Sequence, residues 1–153
     1  MSTLLEVQYA MSENALPTQS DIQTWVDTAL EQYQSTYSMC VRIVDAAESQ
    51  QFNREYRGKD KPTNVLSFEF EMPEFIEQET EILGDLMVCA PVVAKEAAEQ
   101  NKQLFDHWAH MIIHGTLHLL GFDHIKESEA QEMEQLEREL LAKLQIKDPY
   151  LET

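Results

Sequence analysis

A chain of 153 residues with 43% hydrophobic and 25% charged side chains is long enough to bury a core and too mixed in composition to be disordered or fibrous. Its 28 acidic against 11 basic residues give a formal charge of −17, which excludes a surface that attracts nucleic acid as a whole; a polyanionic substrate needs a local positive site. No apolar run approaches the ~20 residues of a membrane span and the start, MSTLLEVQYAMSEN, has no basic leader, so a cytoplasmic chain without a membrane partner is expected.

With no internal repeat and no break in composition, residues 1–153 read as a single domain. Leu5, Val7 and Tyr9 alternate with Glu6 and Gln8, the period of a half-buried strand. Beyond a turn at Pro17, Ile22, Trp25, Val26, Ala29, Leu30 and Tyr33 recur at helical spacing. Ser38 to Val44 is a β-rich run, after which Asp45 caps a helix carrying Phe52 and Tyr56 and stopped by Gly58. The loop KDKPTN leads to a second alternating run, Val65 to Phe70, and an acidic loop precedes ILGDLMVCA, an apolar stretch interrupted by Gly84. Pro91 suits the first turn of a helix through about Gln100, and a more apolar helix runs from about Leu104 to Leu120, ending at Gly121. The last helix is expected to begin at Ser128, with a capping box to Gln131, and to bury Met133, Leu136, Leu140, Leu141 and Leu144. Cys40 and Cys89 lie in apolar runs and read as reduced core residues. The order βαβαββααα predicts an α+β domain in which about five helices cover a mixed sheet of about four strands, with the histidine-bearing helix packed in the core.

Four of the five histidines, His107, His110, His114 and His118, fall on that helix, and His124 lies just beyond Gly121. At ~1.5 Å rise per residue His114 and His118 are one turn apart on one face, so both can reach one ion. His110 stands about 12 Å along the axis from His118, too far for bonds of ~2.0–2.1 Å to a shared ion, and is read as supporting or packing. His107, near the helix start, is expected to be solvated. The third ligand must come from chain that turns back, and Gly121 can take the positive φ that lets His124 do so. The segment HGTLHLLGFDH is therefore read as H-x3-H-x5-H, a site for one zinc ion with a fourth position left to solvent. An imidazole site also accepts nickel, copper or iron according to supply. Such an ion acidifies water and polarises carbonyl or phosphoryl oxygens, so hydrolysis is the natural reaction class.

The spacing is similar to that of the metzincin proteases, H-E-x-x-H-x-x-G-x-x-H, but Gly115 stands where those carry the glutamate base. The segment HGTLHLLGFDH, together with YRGKDKPTNVLSF and GDLMV, resembles the YbeY family of bacterial rRNA-maturation endoribonucleases over at least residues 50 to 150. The resemblance implies a metal-dependent endoribonuclease that prefers single-stranded RNA. Its expected setting is small-subunit rRNA 3′-end processing and ribosome quality control, with the ribosome or small-subunit proteins as partners and no DNA. It also implies that His114, His118 and His124 hold the metal and that Arg57 and His114 are catalytic. A guanidinium fork fits a phosphate, and Arg54 to Lys61 hold four basic and two acidic side chains, a local excess in an acidic protein. Arg57 could equally form a structural salt bridge. Asp85 could orient a ligating histidine or end a sheet edge, and Asp123 invites the same question. The glutamate-rich stretch 69–81 and the outer face of the last helix read as solvated surface or as a face for a basic ribosomal protein. Attack on the phosphate by water at the ion and attack by the adjacent 2′-OH both stay open. Two other readings are a non-catalytic zinc-stabilised ribosome-assembly factor and a metallohydrolase of another substrate class.

Overall fold

Apolar alternation and capping signals set the regular elements. The computed structural model describes residues 3–12, 15–33, 35–69, 81–122 and 126–150. Among them are four strands, β1 (Leu4–Tyr9), β2 (Tyr37–Val44), β3 (Val65–Glu69) and β4 (Glu81–Cys89), and five helices, α1 (Gln19–Leu30), α2 (Ala46–Arg57), α3 (Ala90–Glu99), α4 (Leu104–Leu119) and α5 (Glu127–Lys143). The element order and the α+β class are those expected. The acidic stretch 70–80, Asp123 and His124 lie outside the described residues.

The strands form one mixed sheet in the order β1-β2-β4-β3, with β1, β2 and β4 parallel and β3 antiparallel to β4. β4 is thus central, and Leu86 to Cys89 are buried on successive positions, as in a strand covered on both faces. The larger core lies on one face, where Ile22, Trp25 and Val26 of α1 and Trp108, Ile112 and Ile113 of α4 pack over Val41, Ile43, Leu86 and Val88. α4 is buried nearly all round because α1, α3 and α5 close over it. On the opposite face α2 covers one end of the sheet through Phe52, which joins Val44, Leu66, Met87 and Cys89.

Local chemistry explains where helices start and stop. Thr18 Oγ accepts from the Asp21 N–H while Asp21 accepts from the Thr18 N–H, a reciprocal cap for α1. Asp45 caps α2 as expected, and the helix ends at Gly58 in the left-handed region, φ 71°. The following loop is tied back to α2: Asn53 donates to the Lys61 carbonyl at 2.8 Å, and Ser49 Oγ accepts from the Thr63 N–H at 3.0 Å. The end of α2 is thereby fixed beside the start of β3.

Three expectations need correction. α5 begins at Glu127 with Lys126 as its cap, so Ser128 already lies inside the first turn and the capping box to Gln131 does not form. Cys89 is fully buried, but Cys40 is only half-buried, on the part of the sheet that α2 leaves open. Burial first, then the charges of Asp85 and Glu6, push the Cys40 thiol up to about 11, which leaves it a poor nucleophile. Asp85 neither ends a sheet edge nor faces the histidines. It sits on the central strand beside Cys40, on the face opposite Leu86 and α4.

Candidate metal centre and cleft

His110, His114 and His118 follow one another at intervals of four on α4, and their rings form a ladder. The ring centroids of His110 and His114 are 6.1 Å apart and those of His114 and His118 are 4.6 Å apart. α5 packs against this face and inserts Glu137, which is wholly buried. Its two oxygens each take an imidazole: Oε1 lies 2.6 Å from His114 Nδ1 and Oε2 lies 2.6 Å from His110 Nε2. The Tyr150 hydroxyl also donates to Oε2, and Tyr150 is held in place by Arg138, which lies 5.2 Å above its ring and pairs with Asp148 at 3.0 Å.

Burial by itself would raise the Glu137 carboxyl; the hydrogen bonds from His110 and His114 outweigh it and hold the group down at about 2. It is therefore an anion that accepts only. His114 must carry its proton on Nδ1, which leaves the lone pair on Nε2, and that atom lies 3.1 Å from Nε2 of His118. Two nitrogens bound to one tetrahedral ion at ~2.0–2.1 Å sit roughly 3.3–3.4 Å apart, so the pair suits a shared cation. Burial depresses His110 first, with the Glu137 contact opposing it, so His110 stays neutral and donates through Nε2. His110, His114 and Glu137 also present ligand atoms within 4.8 Å of one another, a group that could hold a metal ion. At 2.6 Å their nitrogen-to-oxygen separations are hydrogen-bond lengths, shorter than two ligands of one ion would show. The expected third ligand, His124, lies outside the described residues.

His114 and His118 open into a cleft of about 970 Å³ whose walls also include Tyr56 and Arg57 from the end of α2, Lys59 from the loop after it, and the outer edge of β3. Arg57 thus shares the histidines' cavity, and among the described residues it makes no salt bridge; Arg54, three residues earlier, pairs with Asp60 at 3.7 Å. Gly121 has φ 106°, the positive value expected of the residue that turns the chain after α4. Gly115 faces the sheet: a Cβ there would lie 2.8 Å from Leu86 and 3.1 Å from Val65. A glutamate at this position would point into packed core rather than at a bound substrate.

His107 is not solvated. It is 2% exposed, because the first turn of α4 packs on α3, and its Nε2 meets Glu96 Oε1 at 3.0 Å. Glu96 also accepts from Asn64 Nδ2 at 3.2 Å, so it ties α3, α4 and the entry to β3 together. The bond from His107 is the main reason its carboxyl is held below the ordinary value. A depressed carboxylate stabilises the fold above its unfolded pKa of about 4.5, and that contribution is lost as pH falls below it. Glu96→Ala should cost about 1–3 kcal/mol at neutral pH in urea unfolding, with the difference from wild type shrinking in acid; a constant difference down to pH 3 would contradict a hydrogen-bonded carboxylate at this position.

Glu137, Tyr150 and Glu96 are absent from the sequence reading. Only Glu137 left a trace, a carboxylate set in the apolar stripe of Met133, Leu140, Leu141 and Leu144.

A family model described as endoribonuclease YbeY matches residues 7–145. A protein named endoribonuclease YbeY from Colwellia psychrerythraea is 52% identical over 156 residues, covering 99% of each chain. The solution structure of a Thermotoga maritima protein is similar with a TM-score of 0.60 at 21% identity, over 93% of this chain and 92% of that one, a likeness of fold alone.

Proposed function

This chain belongs to the endoribonuclease YbeY family, and on that premise we propose that it cuts single-stranded RNA with the help of one zinc ion held by His114, His118 and His124. The reading is carried by one observation: the Nε2 atoms of His114 and His118 converge at 3.1 Å in the same cleft that Arg57 lines. When bound there, the ion supplies a Lewis acid that polarises phosphoryl oxygen and lowers the pKa of water.

The chain's own residues do the rest. Glu137 keeps the His114 proton on Nδ1 and so keeps Nε2 available throughout turnover. Arg57 grips the scissile phosphate through its two-pronged donor fork and neutralises charge that grows on the phosphoryl oxygens, an interaction stronger in the transition state than in the bound substrate. Arg57 and Lys59 bring local positive charge to a cleft that Glu69 and Glu134 also line, and in a chain of net charge −17 they are the groups there that can meet a polyanion. Gly115 supplies no side-chain base between the ligands, unlike the glutamate of the metzincin pattern.

The biological setting proposed is the cytoplasm, in small-subunit rRNA maturation and ribosome quality control. Glu127, Glu129, Glu132 and Glu139 on the exposed side of α5 suit a basic ribosomal protein. No helix among the described residues is long and apolar enough to cross a membrane.

The test is cleavage of a short single-stranded RNA by zinc-loaded and chelator-treated protein, with metal content measured alongside. Cleavage should need the metal, and Arg57→Ala should retain the metal while losing roughly a hundredfold in rate. A loaded protein that leaves RNA intact but hydrolyses peptides, or hydrolyses nothing, would sink the reading. Product ends separate the two attack routes: a 2′,3′-cyclic phosphate marks the 2′-OH as nucleophile.

A further inference from the structure

Tyr56 is 64% exposed, among the most exposed large apolar side chains described, yet its ring is held on two sides. Phe52, one helical turn earlier, lies nearly parallel to it, at 5.7 Å between centroids and 8° between planes. Phe68 of β3 meets it edge-on at 5.4 Å and 73°. Phe52 and Phe68 are themselves anchored in the small core beneath α2. The ring is thus oriented by packing, stays largely exposed, and lines the cleft that Arg57, His114 and His118 share.

A rigid, solvent-facing aromatic surface next to a guanidinium matches two parts of one nucleotide, a flat base and a phosphate. A base in a duplex has both faces covered by its neighbours, whereas a base in a single strand can turn one face outward. We infer that Tyr56 is a stacking platform for an unpaired base of the RNA strand, placed so that the phosphate of the same stretch reaches Arg57. The inference rests on the endoribonuclease reading above and adds to it a source of preference for single strands. Because every base has a π face, the platform contributes affinity without sequence preference.

The experiment measures KM and kcat of the zinc-loaded enzyme on a short single-stranded RNA and on the same RNA with abasic nucleotides flanking the cut. Tyr56→Phe keeps the ring. Tyr56→Leu keeps an apolar cover on Phe52 and Phe68 but removes the π face, and its urea midpoint confirms that it folds. On intact RNA, Tyr56→Leu should raise KM roughly ten- to hundredfold with kcat little changed, and Tyr56→Phe should behave as wild type. Abasic RNA should already bind weakly to wild type and be insensitive to the substitution. An unchanged KM in Tyr56→Leu, an equal loss on intact and abasic RNA, or a loss in Tyr56→Phe as large as in Tyr56→Leu overturns the platform while leaving the nuclease reading in place. A loaded wild type that cleaves no RNA overturns both.

Discussion

Glu137→Ala should cost the fold about 3–5 kcal/mol, because it strands the buried Nε2–H of His110 and takes the acceptor from the part-buried Tyr150 hydroxyl, each unmade bond costing about 1–3 kcal/mol. The milder Glu137→Gln isolates the role in the site. An amide offers one oxygen and one N–H₂, so it cannot accept from both imidazoles, and the Nδ1–H of His114 must compete with His110 for the one acceptor that remains. Zinc affinity should fall roughly 10–100-fold in Glu137→Gln, read by competition with a chromogenic chelator, whereas His114→Ala removes the donor itself. The acid limb gives an independent check on metal-free protein. The Glu137 carboxyl is held at about 2, below its ordinary 4.5, so its contribution of about 3 kcal/mol is complete above pH 4.5 and is lost as pH falls toward 2. His110, depressed below its ordinary 6.5, acts in the same direction: acid protonates the unfolded chain before the folded one. Urea midpoints of wild type should therefore fall on acidification, and Glu137→Gln should flatten the part below pH 4.5. An unchanged acid limb in that variant would show that the carboxylate is not the anion described.

What the sequence made legible is what local periodicity encodes. The apolar stripe at Ile22, Trp25, Val26, Ala29 and Leu30 specifies α1, and the nearly uninterrupted hydrophobic run through Ile112 and Ile113 specifies a helix buried on all sides. Four-residue spacing likewise brings His114 and His118 together, because a helix turn does so wherever the helix lies. Features that depend on which elements become neighbours were not legible. His107 reads as solvated on its own helix and is buried only because α3 delivers Glu96 to it. Asp85 lies beside Gly84 in an apolar run, and only the strand order shows that it faces away from α4. Glu137 is one of several glutamates on an acidic helix; its phase with Met133, Leu140 and Leu141 distinguishes it, but its partners lie 23 and 27 residues away.

Gly84→Ala should be the most damaging single methyl group in the chain. The pairing of Ile82 with Ser38 and of Gly84 with Met39 leaves Leu83 as an extra residue on β4, a bulge that puts Gly84 at φ 139°. An L side chain resists that conformation, and its Cβ would stand 2.2 Å from the Phe68 carbonyl oxygen and 3.2 Å from the Glu69 Cα. Both obstacles are backbone, so no rotamer change relieves them; β3 itself must move. Strain and overpacking together predict a loss of about 3 kcal/mol or more. Gly58→Ala is the control. It too sits at positive φ, 71°, but a Cβ there meets nothing within 4 Å, so only the conformational penalty of about 1–2 kcal/mol applies. Because the outer edge of β3 is a wall of the cleft and Phe68 supports Tyr56, whatever fraction of Gly84→Ala folds should also bind RNA less tightly than Gly58→Ala at matched folded concentration. Equal unfolding midpoints for the two variants would mean that β3 and β4 do not approach as closely as the bulge requires.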